Sequence, residues 1–190
     1  LRSLAAAETI NDSLGMARAL NLLGAVYMNK SVTLDRAKEY FLRALEIFEN
    51  LDYKNGIAAC AVNLGDIYHQ QDQYVSSLYY LQISIDNFEN QVFIPHSYNL
   101  MGEVYRDMGK YQQAMEYLEK AIDLANDQNI QDEACQALIS LGKTHQLLGN
   151  FLKASTYFQE AKNIAEDIGA NNELKDVYNG LANLSAEMGD

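Results

Sequence analysis

The chain has 190 residues, a hydrophobic fraction of 48% and a formal net charge of −12. This apolar content is enough to bury a core, which excludes wholesale disorder. The negative charge argues against nucleic acid and anionic membrane surfaces as partners, because both attract clustered lysine and arginine, but it is compatible with basic or amphipathic partners. No run of about 18 apolar residues occurs, so the sequence predicts no membrane insertion.

The two cysteines, Cys60 and Cys135, are far apart in the chain. No Cys-x-x-Cys motif occurs and no histidine lies nearby at ligand spacing, so neither a zinc site nor a disulfide framework is indicated. We therefore expect two buried free thiols. Free thiols favour a reducing compartment, and we expect a cytoplasmic location.

A short motif recurs five times along the chain and contains a small residue each time. In the clearest copies a Leu-Gly or Met-Gly pair is followed three residues later by tyrosine. The small residues are Gly24, Gly65, Gly102, Gly142 and, in a weaker copy, Ala182. They are separated by 41, 37, 40 and 40 positions. Self-similarity at a period in this range is typical of stacked-repeat proteins, which offer an extended surface to a partner.

In chain order, the copies predict a single array over residues 1–190. Residues 1–10 resemble the end of a preceding second helix, because their pattern matches that of residues 161–168. The predicted parts after residue 10 are repeat one at 11–51, repeat two at 52–90, repeat three at 91–128, repeat four at 129–169 and the first helix of an incomplete repeat five at 170–190. Neither end has the polar character of a capping repeat, so we expect a fragment of a longer protein.

The third copy shows why each repeat is predicted to be a pair of helices. Pro95 suits the first turn of a helix, and the spacing from Gly102 to Tyr105 keeps the motif on one helix face. Gly109 can adopt the left-handed conformation that ends a helix. A second helix is then predicted from about Tyr111 to Asn126.

Two copies depart from this pattern at single positions. In repeat two, Asp72 stands where the glycine ends the first helix of repeat three. In repeat four, His145 stands where the other copies have tyrosine. Because it occupies this position, we expect His145 to pack between helices rather than to bind a ligand.

This pattern resembles the tetratricopeptide repeat, a helix-turn-helix unit. The resemblance implies an all-α, right-handed superhelical solenoid of antiparallel helix pairs. Most repeats here are close to 40 residues long, which resembles the longer-repeat arrays of Pins-like adaptors, kinesin light chains and bacterial signalling regulators. The resemblance also implies that the first helix of each repeat lines a concave binding face.

No constellation of catalytic or cofactor-binding residues is evident. Gly142-Lys143-Thr144 imitates the end of a phosphate-binding loop, but Ala137 stands where that loop needs another glycine, and the tripeptide lies inside a predicted helix. The three histidines show no metal spacing, and no Gly-x-Ser-x-Gly motif occurs. We therefore expect no enzyme activity, no metal and no cofactor.

The candidate site is the set of first-helix residues that flank each motif on the expected concave face. Asparagine recurs among them, and its amide can both donate to and accept from the backbone of an extended peptide. The candidates are Asn21, Leu22, Val62, Asn63, Asp66, Asn99, Leu100, Glu103, Arg106, Ile139, Lys143, Asn179 and Asn183. The alternative is that these polar residues merely fill exposed positions and that the apolar ones pack against the neighbouring helix.

We interpret the chain as a module that binds a protein or peptide segment, with an apolar or basic partner favoured by its acidic residues. The predicted host is a larger signalling or regulatory protein. Two alternatives stay open at this point. One is self-association through the end helices, which would make a homo-oligomer. The other is a ligand-sensing region that controls an output domain elsewhere in the protein.

Overall fold

The structure, a computed structural model, describes residues 12–28 and 31–189, and the predicted helix end at residues 1–10 lies outside them. The described residues form α-helices joined by short turns, with two short 3₁₀ segments and no strand. The helices are α1 (Ser13–Met28), α2 (Leu34–Asn50), α3 (Lys54–Gln70), α4 (Tyr74–Asn87), α5 (Ile94–Asp107), α6 (Tyr111–Asp127), α7 (Gln131–Leu147), α8 (Phe151–Ile168) and α9 (Asn171–Met188). The all-α fold class is therefore confirmed.

The chain forms two compact units, divided between Asn90 and Gln91. In the first unit α1 pairs with α2 and α3 pairs with α4, and α3 also packs on α2. In the second unit α5 pairs with α6, α7 pairs with α8, and α9 packs against α7 and α8. We call α1, α3, α5, α7 and α9 the first helices, and α2, α4, α6 and α8 the second helices.

The helices end where the sequence supplies a residue that tolerates a positive φ. Gly109 has φ of 73°, and the backbone N–H of Lys110 after it donates to the carbonyl of Tyr105 at 2.8 Å. Asp72 has φ of 58°, and the N–H of Gln73 donates to the carbonyl of Tyr68 at the same distance. The aspartate thus reproduces the glycine turn at some conformational cost, since residues other than glycine visit this region rarely.

Each helix pair closes over the glycine of its first helix. A Cβ atom at Gly142 would lie 2.7 Å from the Phe158 ring, and one at Gly102 would lie 2.5 Å from Leu118. Carbon atoms in ordinary contact are about 3.5–4.0 Å apart. In the fifth copy Ala182 is exposed, and it is at Gly180 that an added Cβ atom would lie 2.5 Å from the Phe158 ring. The predicted Leu-Ala position therefore is not the packing position of α9.

An aromatic pair repeats beside the glycine in all four helix pairs. The aromatic residue of the motif, which is tyrosine in three copies and His145 in the fourth, stacks on a tyrosine of the second helix. The sequence did not predict this second tyrosine. The ring pairs are Tyr27–Tyr40, Tyr68–Tyr80, Tyr105–Tyr117 and His145–Tyr157, with centroids 5.3 to 5.5 Å apart. The four second-helix tyrosines share the repeat period, which is the signal that could have identified them. The packing role of His145 is confirmed.

Other local predictions are also confirmed. Pro95 lies in the first turn of α5. Cys60 and Cys135 are free and buried, and burial raises the pKa of Cys60 to about 12 and that of Cys135 to about 11. Both thiols are therefore unreactive at neutral pH. No helix in the described part of the chain has the length and apolar character needed to cross a membrane.

Filling the glycine position should destabilise the second unit. We expect Gly142→Val to lower the free energy of unfolding by about 2–3 kcal/mol, because the added carbons overlap the Phe158 ring. Urea denaturation followed by circular dichroism measures this. Ala182→Val, at the corresponding but exposed position, should change stability by no more than about 0.5 kcal/mol. Equal effects from the two variants would contradict the packing account.

The stacked histidine should make stability depend on pH. Burial, and then the charge of Lys153, lowers the pKa of His145 from its ordinary value of 6.5. As the pH falls, the unfolded chain binds a proton at this histidine before the folded chain does. The contribution of neutral His145 to stability is therefore fully present above about pH 6.5 and is lost as the pH falls through the lowered folded-state pKa. Urea midpoints should fall between about pH 7.5 and pH 5.5 by more in the wild type than in His145→Tyr, which restores the tyrosine of the other copies. Parallel pH profiles of the two proteins would refute this.

Candidate functional site

Three first helices of the second unit, α5, α7 and α9, line a cleft of about 230 Å³. Each helix contributes residues spaced three or four apart, which places them on one face. The lining residues are His96, Asn99, Leu100, Glu103, Gln136, Ile139, Ser140, Lys143, Asn172, Glu173 and Asp176. We call this the α5–α7–α9 cleft. It brings together five predicted site residues: Asn99, Leu100, Glu103, Ile139 and Lys143.

The apolar members of the cleft form its base rather than an exposed strip. Leu100 is 8% exposed and Ile139 is 4% exposed. In the first unit, by contrast, Leu22 is 65% exposed and Val62 is half-buried. Leu100 and Ile139 therefore follow the alternative that the sequence left open, because their side chains are used largely in packing one first helix against the next.

Polar side chains connect the three helices across the cleft. The Ser140 hydroxyl on α7 donates to Glu103 Oε1 on α5 at 2.8 Å. The Gln136 amide on α7 donates to Glu173 Oε1 on α9 at 3.4 Å. At one end, His96 Nδ1 lies 3.2 Å from Glu133 Oε1. The first two contacts hold the carboxylates of Glu103 and Glu173 in the free chain.

Asn99 differs from the other predicted asparagines because its amide is enclosed. The residue is 4% exposed, and its Oδ1 accepts no hydrogen bond from the residues described. A buried acceptor left unpaired costs about 1–3 kcal/mol. An unsatisfied buried group in a cleft wall is a common mark of a ligand contact, and it requires an explanation wherever it occurs.

The remaining predicted residues of the second unit lie outside the cleft. Arg106 shares a neighbouring cleft of about 510 Å³ with Lys143 and Glu187. Its Nε donates to Asp107 Oδ1 at 2.9 Å and its Nη1 lies 4.0 Å from Glu103. Asn179 and Asn183 are exposed on α9 and line neither cleft.

In the first unit, the predicted residues hydrogen-bond largely to their own unit. Asn21 Oδ1 accepts from the Cys60 thiol at 3.4 Å, and Asn63 Nδ2 donates to the Ala59 carbonyl at 2.8 Å. Asp66 Oδ1 accepts from the Gln70 amide at 3.0 Å. Part of the hydrogen-bonding capacity of these side chains is therefore already used within the unit, whereas Asn99 Oδ1 is unpaired.

Several cleft residues were not among the predicted candidates. These are His96, Gln136, Asn172, Glu173 and Asp176. They lie one turn or more toward the N-terminus of their helix from the predicted positions. Extending the predicted faces of α5 and α7 by one helical turn, and that of α9 by two, would have found them, since residues three and four apart share a face.

Metal and phosphate chemistry find no support in this part of the chain. Within residues 12–28 and 31–189, no group of three His, Cys, Asp or Glu side chains is placed to hold a metal ion. Gly142-Lys143-Thr144 lies inside α7, where the Thr144 hydroxyl donates to the Ser140 carbonyl at 2.7 Å. It is a helical segment and not a phosphate-binding loop.

Family models of the tetratricopeptide repeat match residues 15–90, 95–128 and 136–168. The chain belongs to the tetratricopeptide repeat family. Repeats of this family form a protein-interaction module, and the fold is generally non-catalytic.

The relatives of these tetratricopeptide repeats are longer proteins. A segment of 75 residues is 39% identical to the protein O-mannosyl-transferase tmtc2 of Xenopus laevis, covering 36% of this chain and 9% of that protein. A Rap protein complexed with Competence and Sporulation Factor is similar with a TM-score of 0.82 and 20% identity, over 95% of this chain and 54% of that one. Aspartyl phosphate phosphatase F from Bacillus subtilis is similar with a TM-score of 0.80 and 18% identity, over 88% of this chain and 44% of that one.

The unsatisfied amide of Asn99 predicts an unusual mutational result. We expect Asn99→Leu to leave the free energy of unfolding unchanged or to raise it by about 1 kcal/mol, because the variant removes an unpaired acceptor and adds apolar contact. Ser140→Ala, in the same cleft, should lower the free energy of unfolding by about 1 kcal/mol, because the variant loses the hydrogen bond to Glu103. Urea denaturation of both variants measures this, and a clear loss of stability in Asn99→Leu would count against an unpaired amide.

Proposed function

We propose that these repeats bind a segment of a partner protein across the first helices of the second unit, with the α5–α7–α9 cleft as the centre of contact. The observation that carries the proposal is the convergence of five independently predicted site residues on this cleft. Concave sites that combine an apolar base with a few placed polar groups are the usual form of ligand sites in proteins.

The chemistry of the cleft favours an apolar or basic segment. The edges of Leu100 and Ile139 provide an apolar base, and Glu103, Glu173 and Asp176 surround it with carboxylates. Affinity would come from burial of apolar surface. The carboxylates would disfavour acidic segments through repulsion and attract basic ones. The remaining predicted residues, among them Arg106, Asn179 and Asn183, would contact the partner beyond the cleft.

A regulatory role in a longer, cytoplasmic protein is the setting we propose for this binding. The chain spans about half the length of the Rap and phosphatase structures to which it is similar, and the curated relative is much longer still. The similarity to a Rap protein complexed with Competence and Sporulation Factor supports a role as a peptide-binding or sensing region. An output domain in the rest of the protein would then report the binding.

Self-association is a second candidate function, favoured by one surface. Tyr178 on α9 is half exposed, although Lys162 Nζ of α8 lies 5.7 Å from the centroid of its ring. A homo-oligomer formed by stacking of α9 on another copy would cover this ring. This binding mode is distinct from the cleft, which Tyr178 does not line.

Blocking the cleft should abolish segment binding without unfolding the repeats. We expect Asn172→Trp to weaken the binding of peptides recovered from a displayed random library by at least tenfold. Asn172 is an exposed residue at the cleft wall, so a tryptophan there would obstruct the cleft. Asn163→Trp, exposed on the second helix α8, is the matched control and should bind as the wild type does. Fluorescence anisotropy with labelled peptides measures both affinities, and circular dichroism checks the fold. Equal affinity for the two variants would show that the peptides bind elsewhere.

A further inference from the structure

We propose that the α5–α7–α9 cleft accepts a single arginine side chain of the partner segment, with its guanidinium between the carboxylates of α5 and α9 and the amide of Asn99. The inference rests on the proposed function, because it assigns one residue of the bound segment to this cleft. It goes further by naming the chemical group that the site recognises.

The size of the cleft favours one long side chain over a whole small molecule. Pockets for drug-sized ligands measure about 300–1,000 Å³, whereas this cleft measures about 230 Å³. One water occupies about 30 Å³ of liquid, so the cleft has room for a side chain of several heavy atoms. A segment lying across the first helices could insert one residue here while the rest stays outside.

The charges of the cleft favour a cation. Glu103 comes from α5, and Glu173 and Asp176 come from α9, one turn apart. Lys143 is the opposing charge among the lining residues, and His96, which also lines the cleft, lies beside Glu133. Outside the lining, Arg106 Nη1 lies 4.0 Å from Glu103. One Glu103 oxygen is engaged by Ser140, but the exposed carboxylate of Asp176 makes no hydrogen bond or ion pair with a described residue. A cation placed here would meet an excess of negative charge.

The enclosed amide of Asn99 supplies an acceptor independently of those carboxylates. Its Oδ1 has no partner among the described residues, although the side chain lines the cleft. A ligand N–H that reaches this side chain would find an acceptor that no described residue of the chain uses.

Arginine fits this arrangement better than lysine does. Its flat guanidinium has five donors directed to several sides, which matches acceptors on two separate helices, whereas an ammonium acts as a compact point charge. Its apolar stem can lie along Leu100 and Ile139, which form the base of the cleft. The cleft therefore matches arginine in both its apolar and its charged parts.

The test uses a displayed random heptapeptide library selected on the 190-residue chain, followed by synthetic versions of the best binder. Recovered peptides should share an arginine. Replacing that arginine by citrulline, its neutral analogue of similar shape, should weaken binding to the wild type by about tenfold or more, since hydrogen bonds to charged groups contribute about 1.5–3 kcal/mol. On Asp176→Asn the same replacement should weaken binding by about threefold or less. On Asp123→Asn, a matched change at an exposed residue of α6, the full loss should remain.

The outcomes separate this inference from the function on which it rests. Peptides that bind the cleft without a shared basic residue, or that bind equally with citrulline, would overturn the arginine site and leave segment binding intact. Peptides that share lysine and lose affinity on replacement by arginine would also overturn it. If the library yields no binder at all, both proposals fail. A citrulline effect of equal size on wild type, Asp176→Asn and Asp123→Asn would overturn the arginine site. It would show that the arginine is attracted by the general negative charge of the chain and does not bind in the cleft.

Discussion

The close approach of helices at the motif glycine is the constraint on which the rest of each unit depends. At Gly142 there is no room for a Cβ atom, because the ring of Phe158 occupies that place. Phe158 also meets Gly180 of α9, so one aromatic ring sets the spacing of three helices. Because interiors are packed as densely as organic crystals, such a ring cannot shift without moving its neighbours. The second-helix layer thereby fixes how α7 and α9 lie side by side.

The candidate site lies on a surface of the first helices that this packing covers only in part. A first helix presents one face to its second helix through the glycine and the aromatic stack, and another face to the next first helix. Ser140 belongs to that second face, where it holds Glu103 of the neighbouring helix. The α5–α7–α9 cleft lies along this second face, so its base is formed by residues that also hold one first helix against the next. The exposed residues Asn172 and Asp176 complete its wall and are available to a partner.

The sequence was sufficient for the repeat, the helix pairs and the packing role of His145, because glycine, proline and aromatic residues act through local geometry. Asp72 shows the limit of the same reasoning. Its positive φ is not evident from the residue itself and could be inferred only because the other copies have glycine at this position. Leu100 and Ile139 could not be assigned in advance, since their burial depends on the distance between two first helices. The cleft itself depends on that distance too, and the sequence predicted its residues only to within one helical turn on α5 and α7 and two turns on α9.

Asn63 and Asn99 illustrate why one unit is a stronger candidate site than the other. Both are asparagines near a motif glycine, yet Asn63 donates to a carbonyl of its own helix while Asn99 leaves an acceptor unpaired. An unpaired buried acceptor costs about 1–3 kcal/mol, a large share of the about 5–15 kcal/mol that stabilises a typical domain. An apolar residue of similar size would remove that cost at once. A bound group that donates to this oxygen would recover in binding what the free chain loses in stability.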